Sequence, residues 1–297
     1  MTLLQFYVDD IIKAALKEDV NYIDTTTGLL LDEDKQTEAY FVSKAEGVLC
    51  GIDVAKRVFE MLDEKISFKA YFKDGDKIKK GDVIAEMTGS AKFLLIGERT
   101  ALNLIQHMSG IATATNRLVT LCEGTNAAVT DTRKTLPGLR GLQKYAVTCG
   151  GGKNHRFNLS DGAMLKDNHI DAGGGITATV NKLREKLGHM VKIEVETRNL
   201  DEVKEAVESG CEVIMLDNMD CETMKKAVEI VGGRALCEAS GNVCEETIRA
   251  IAETGVDIIS VGAITHSVAA FDIAMRIKAC ARLSPPFRRR LFRRALA

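Results

Sequence analysis

Apolar residues recur along the chain with more than one period, and the changes of period divide it. Val8, Ile11, Ile12 and Leu16 fall at helical spacing and predict a surface helix over residues 7–18 with one buried face. From about residue 36 to 90 the pattern shortens to alternating runs, TEAYFVSKAEGVLCG and ISFKAYFKDGDKIKKGDVIAEMTG, broken by Asp-Gly and Gly-Asp turns. That texture predicts antiparallel strands. A long helix follows in LLIGERTALNLIQHMSGIATATNRLVTLC, where Leu102, Ile105, Gln106 and Ser109 repeat every three or four residues and small residues permit close packing.

After about residue 127 strand and helix patterns alternate. AAVTDTRK (127–134), GAMLKDNH (162–169), VKIEVET (191–197), CEVIMLDN (211–218), RALCEASGN (234–242) and VDIISVGA (256–263) read as buried strands, the last four starting 20 to 23 residues apart. Between them lie helical patterns such as NLDEVKEAVESG, with Leu200, Val203 and Val207 on one face and Gly210 as the stop. Strand, helix and glycine stop at this spacing predict βα units building a parallel sheet. No G-x-G-x-x-G follows the first of these strands, so a dinucleotide fold lacks its fingerprint. Residues 113–280 are too few for a full eight-unit barrel, which takes ~250. The expectation is an α/β protein: an incomplete α/β barrel of six to seven parallel strands over 113–266, preceded by an α+β domain over 1–112.

Composition narrows the chemistry. Lys plus Arg, 40, nearly balances Asp plus Glu, 42, so no global field suits long nucleic acid and any anionic partner must be met by a local cluster. The eight cysteines form no C-x-x-C pair and several sit inside apolar runs, which reads as buried, reduced thiols in a cytoplasmic protein. The first twenty residues carry acids within their apolar pattern and read as an amphipathic helix, not a signal peptide. No run approaches the ~18 apolar residues of a membrane span.

The carboxyl ends of the proposed strands carry Asp131, Arg133 and Lys134, then Lys166, Glu194 and Glu196, Asp217, Glu238 with Ser240-Gly241, and Gly262. One charge at a strand end merely marks where strand meets solvent. A ring of them is costly to bury unpaired and points to a shared polar mouth, where ligands of parallel sheets bind. Residues 131–169 hold seven Lys or Arg, suited to carboxylate or phosphate groups. The later strand ends hold carboxylates suited to Mg²⁺. The small residues of ASGN and SVGAITHS, ahead of a helix N-terminus, suit a terminal phosphate.

DTRKTLPGLRGLQKYAV, GGGKNHRFNLSDGAMLKDNHI, IEVET, MLDN, ASGN and SVGAITHS, in this order and continuing upstream through ERTALNLIQHMSGIAT, resemble quinolinate phosphoribosyltransferase over roughly residues 5–280. The resemblance implies an enzyme of NAD biosynthesis that joins quinolinate to phosphoribosyl pyrophosphate with Mg²⁺, releasing pyrophosphate and CO₂. It also implies an N-terminal open sandwich, completed by a C-terminal helix over 267–282, and a homodimer, in some members a hexamer. Thr132, Arg133, His155, Arg156 and Lys166 then correspond to the quinolinate site, with Arg99 reaching in from the other subunit. Lys134 would touch both substrates. Glu196 and Asp217 correspond to the ribose and metal site, directly or through water, and Ser240, Gly241 and Gly262 to the 5′-phosphate site. Lys134, Lys166, Glu196 and Asp217 carry the catalytic expectation, and the glycines 150–152 are expected to let backbone pass close to the ligand.

Other readings remain open at this stage. A relative with another acceptor, such as nicotinate or the molybdenum-transport-associated member, would not need a clamp for two carboxylates. Lys166 at a strand end also fits a Schiff-base lyase, and a phosphate-binding regulatory subunit would bind without turnover. His107 and His189 read as packing or surface residues, and His169 as lining the site or supporting Lys166. The arginine-rich end, residues 283–297, lies outside the resemblance and reads as a basic tail or an appended, non-native end.

Overall fold

A computed structural model describes residues 2–32 and 35–278. The N-terminal part runs α1 (Gln5–Asp19), α2 (Thr25–Leu30), β1 (Gln36–Ser43), β2 (Gly47–Val48), α3 (Ile52–Leu62), β3 (Ser67–Ala70), β4 (Lys77–Ile78), β5 (Val83–Ser90) and the long α4 (Ala91–Leu121). β1, β5 and β3 form an antiparallel sheet, as the alternating runs predict. Ala39, Phe41, Ala85 and Met87 face one side and are fully or almost fully buried, so period two selects the covered face. Phe41, Phe59 and Phe68 join that face to α3, with ring centroids 6.1 to 6.2 Å apart. Helix α3 interrupts a stretch read as strand throughout. Its residues Val54, Ala55, Val58 and Phe59 repeat at helical spacing and are buried against α4 and the sheet.

The fourth strand of this sheet comes from the far end of the chain. β12 (Ile273–Ile277) pairs antiparallel with β1, from Ala39 opposite Ile277 to Ser43 opposite Ile273. The expected helix over 267–282 is therefore corrected to a strand, its residues beyond 278 lying outside the described part. The physical reason is local: Ile273 and Met275 alternate into the core, and Gln106 on α4 donates its Nε2–H to the Ile273 carbonyl at 2.7 Å. The same face of α4 hydrogen-bonds β2 and its exit, through Thr113 Oγ1 to the Val48 N–H at 2.9 Å and Ser109 Oγ to the Cys50 N–H at 2.9 Å.

The C-terminal part runs β6 (Ala128–Thr130), α5 (Arg140–Cys149), β7 (Ala163–Leu165), α6 (Asp167–Gly173), α7 (Ile176–Arg184), β8 (Ile193–Thr197), α8 (Leu200–Glu208), β9 (Val213–Asp217), α9 (Cys221–Val231), β10 (Leu236–Ser240), α10 (Ile248–Ala252), β11 (Ile258–Ser260) and α11 (Ala263–His266). Its six strands are all parallel, in the order β6-β11-β10-β9-β8-β7. The gap between edge strands β6 and β7 is spanned by residues 153–157. Lys153 bridges to Thr130 on β6, and Arg156 Nη1 donates to the Gly162 carbonyl beside β7 at 2.8 Å. This is an incomplete α/β barrel with an antiparallel N-terminal domain. Among the described residues no helix is long and apolar enough to cross a membrane.

Candidate active site

Side chains alternate along a strand, so Glu194 and Glu196 on β8 share one face, as do Glu238 and Ser240 on β10. The opposite row, with Val195, Ile214 and Ala239 fully buried, is left for the helix layer. Register places Glu196, Met215 and Glu238 side by side across three strands, and Asp217 opposite Ser240 nearer the carboxyl ends. The barrel mouth is therefore lined by acids at two depths.

Glu194 and Glu238 meet at His155. Its Nε2 lies 3.0 Å from Glu194 Oε2 and 3.7 Å from Glu238 Oε1, while the Arg156 N–H donates to Nδ1 at 2.8 Å. Burial opposes a charge on this ring, and the neighbouring carboxylates, Glu194 foremost, outweigh it and lift the imidazole above its ordinary value. The hydrogen bond into Nδ1 opposes that lift, since a nitrogen accepting an N–H cannot carry a proton; it favours the Nε2–H tautomer. Both ring nitrogens are thus engaged within the protein. Burial and the facing Glu194 carboxylate push Glu238 up to about 7, and Glu194 Oε1 and Glu238 Oε1 are buried without a hydrogen-bond partner.

Beneath this cluster lies an ion pair, of which one member, Asp131, was assigned by the strand-end reading to the mouth. Asp131 and Lys144 are both fully buried and ion-paired. Lys144 Nζ also donates to the His155 carbonyl at 2.8 Å, and Asp131 accepts from Asn154 Nδ2 at 2.6 Å and from the His155 N–H at 3.0 Å. Burial outweighs mutual attraction in both, pushing Asp131 up and Lys144 down. The pair acts as the anchor of the 153–157 segment. A Cβ on Gly150 would strike the Ala112 carbonyl of α4, and one on Gly152 would lie 2.8 Å from both Thr115 Cγ2 on α4 and Val147 Cγ1 on α5, so these two glycines let the backbone pass close to the helices.

Arg133 and Arg156 are brought close enough to repel. Burial, and after it the Arg133 charge, hold the Arg156 guanidinium below its ordinary value, and Arg133 Nε is buried with no acceptor. Lys166, 49% exposed at its side chain, pairs with Glu196 at 3.0 Å. His169 supports it from behind, its Nδ1 accepting the Lys166 N–H at 3.1 Å as part of the α6 cap. Lys134 is exposed; its N–H reaches Thr132 Oγ1 at 2.9 Å and its carbonyl accepts from Thr265 Oγ1 at 2.8 Å. A Cβ on Gly262 would stand 3.0 Å from Lys134 Cδ, so glycine there lets the lysine cross the end of β11. The helix after Gly262 is a single turn, Ala263–His266.

Family models for the N-terminal and C-terminal domains of quinolinate phosphoribosyl transferase match residues 24–109 and 111–276. The chain belongs to the quinolinate phosphoribosyltransferase family. It is 45% identical over 260 residues to the probable nicotinate-nucleotide pyrophosphorylase [carboxylating] of Bacillus subtilis (strain 168), covering 88% of this chain and 90% of that protein. It is 43% identical to the chloroplastic enzyme of that name from Arabidopsis thaliana, covering 90% and 82%. The crystal structure of NadC from Streptococcus pyogenes matches with a TM-score of 0.91 at 41% identity, covering 94% of this chain and 99% of that one.

Against that family, the expected site residues fall into two groups. Thr132, Arg133, Lys134, Lys166, Glu196, Asp217, Ser240, Gly241 and Gly262 lie at or just beyond the carboxyl ends of the parallel strands, with His155 and Arg156 on the 153–157 segment between β6 and β7. Arg99 stands apart, exposed on α4 in the N-terminal domain. The Asp131–Lys144 anchor escaped sequence reasoning because the chain spacing of two opposite charges does not reveal that both point inward. His107 is a packing residue, its Nε2 2.8 Å from Gln143 Nε2. Among the described residues all cysteines are free, four of them buried.

Proposed function

We propose that this enzyme transfers the phosphoribosyl group of phosphoribosyl pyrophosphate to quinolinate with loss of CO₂, giving nicotinate mononucleotide. The observation that carries the reading is the Arg133–Arg156 pair, two neighbouring cations, with the Arg133 Nε–H buried and unpartnered. Like charges held this close are stabilised by an anion between them, and a fork-shaped donor suits a carboxylate. A dianion uses both guanidiniums and Lys166; nicotinate, with one carboxylate, leaves a cation unmatched. His155, both nitrogens engaged, serves as the post that orients Arg156.

The pyridine nitrogen attacks C1 of the ribose as the bond to pyrophosphate breaks. The cationic ring then accepts the electron pair released when the neighbouring carboxylate leaves as CO₂, and a proton replaces it. Glu196 and Asp217 stabilise positive charge developing on the ribose, and Lys134 and Lys166 the charge on the departing pyrophosphate. Glu196 and Asp217, on adjacent strands, are hard oxygen donors that fit Mg²⁺, which when bound neutralises polyphosphate charge. Ser240, Gly241 and Gly262 hold the 5′-phosphate. The lyase alternative fits poorly, because Lys166 is ion-paired and half-exposed where an activated amine is desolvated.

Arg99 completes the clamp of a second subunit in this reading. Support comes from its exposure on α4 and from an apolar surface on the same domain, with Phe6 69%, Leu29 76% and Leu30 74% exposed. We place the enzyme in the cytoplasm, in keeping with its free thiols; plant relatives are named chloroplastic or mitochondrial.

The test is turnover with Mg²⁺, phosphoribosyl pyrophosphate and either quinolinate or nicotinate, following nucleotide and CO₂. One CO₂ per nucleotide from quinolinate alone is expected. Product from nicotinate alone refutes the dianion clamp, and silence with both refutes the transferase.

A further inference from the structure

A second constellation lies apart from the strand-end residues, on elements of both domains. Cys50 stands between β2 and α3, Asp74 between β3 and β4, and Cys149 at the last residue of α5. These are three elements from two domains. We infer that Cys50, Asp74 and Cys149 form a binding site for a thiophilic divalent cation of the zinc class, clipping the N-terminal domain to the barrel.

Their ligand atoms, two Sγ and one carboxylate oxygen, all lie within 4.8 Å of one another. Tetrahedral zinc with bonds near 2.3 Å sets neighbouring sulfurs about 3.8 Å apart, so small side-chain rotations close the site. The donor set is soft where that of Glu196 and Asp217 is hard, which separates the cation class taken here from magnesium.

The residues around the cluster hold it in place. Asp74 Oδ1 accepts the N–H groups of Gly51 and Ile52 at 2.8 and 3.0 Å, and Oδ2 accepts the Tyr145 hydroxyl at 2.9 Å. Ser109 Oγ fixes Cys50 on both sides, accepting its N–H at 2.9 Å and donating to its carbonyl at 3.0 Å. Metal-binding carboxylates are commonly oriented by such outer hydrogen bonds. A purely structural Asp74, capping α3, accounts for the two N–H contacts but not for two thiols from different domains converging on the same carboxylate. A route to the carboxylate is present as well: Asp74 and Tyr145 line a cavity of about 340 Å³ shared with Leu3, Val8 and Arg57. Water from that cavity supplies the fourth ligand.

Co²⁺ titrated into the chelator-treated full-length enzyme tests the site. The expected result is one equivalent bound with a near-ultraviolet thiolate-to-cobalt charge-transfer band. Cys149→Ser and Asp74→Asn should each weaken binding at least about tenfold, while Cys244→Ser, at an exposed thiol elsewhere, leaves the band intact. Zn²⁺ should raise the melting temperature of the native chain and not of Cys149→Ser, whose turnover with Mg²⁺ is unchanged. Absence of the band overturns the inference, as does a band that survives Cys149→Ser. If peroxide joins Cys50 to Cys149 as a disulfide, two thiols losing two electrons and two protons while peroxide becomes water, in a protein that takes up no Co²⁺, the pair is a redox couple and the inference falls.

Discussion

Replacing Glu238 by glutamine removes a charge from a place where the fold resists it. Glu238 is 1% exposed, faces Glu194, and is pushed from 4.5 to about 7 by burial first and that neighbour second. The lift corresponds to about 3 kcal/mol between its two protonation states. The sign follows from proton counts. Between about pH 4.5 and 7 the folded chain holds a proton that the unfolded chain has released. The stability contributed by this group is therefore complete below the lower value, is lost as pH rises toward the upper one, and stays lost above it. Glutamine has the same shape and no proton to lose. Glu238→Gln should thus be nearly neutral at pH 4.5 and more stable than the native chain by about 2–3 kcal/mol at pH 8.5. Urea unfolding followed by circular dichroism at the two pH values measures the difference, and an effect of the same size at both refutes the buried, raised carboxyl.

Four further outcomes follow from other parts of the site. Lys144→Met leaves Asp131 buried without its cation and should cost about 3–5 kcal/mol, much of it recovered in the Asp131→Asn/Lys144→Met double variant; equilibrium unfolding of the three proteins checks this. Arg156→Ala should raise KM for quinolinate far more than KM for phosphoribosyl pyrophosphate, and steady-state kinetics with each substrate varied in turn reads the difference. Gly241→Ala forces a side chain onto backbone at φ +97° and against Asn218, which should destabilise by about 1–3 kcal/mol and weaken phosphoribosyl pyrophosphate binding, seen by calorimetry. If the dimer shares its sites, mixing Arg99→Ala and Arg156→Ala chains at a quinolinate concentration too low to sustain either variant alone should restore about a quarter of native activity, since half of the random dimers carry one intact site.

The parallel strands were legible because their central residues are buried, as Val195, Ile214 and Ala239 are, and leave apolar runs in the sequence. Helix α3 and strand β12 were not. α3 sits within strand-like text, and its helical period becomes decisive only through the phenylalanines and α4 that cover it. β12 takes its form from β1, more than two hundred residues away, and strand pairing over such a distance leaves no periodic trace in the short partner. The glycines at 150–152 mark a close approach, and only the fold shows which helices Gly150 and Gly152 approach: α4 at Ala112 and Thr115, and α5 at Val147.

For the site, the residue types and their order along the chain determined which charges belong to the mouth, because chemistry that handles anions and polyphosphates requires Arg, Lys and carboxylates at strand ends. Tertiary structure decided which of those charges face a ligand and which face one another. Lys144 turns inward to Asp131, and His155 turns to Glu194, because the 153–157 segment fills the gap between β6 and β7 and carries these groups into the barrel. In a medium of low polarity a charge has to find its partner in space, and that partner is set by the closure of the sheet, not by distance along the chain.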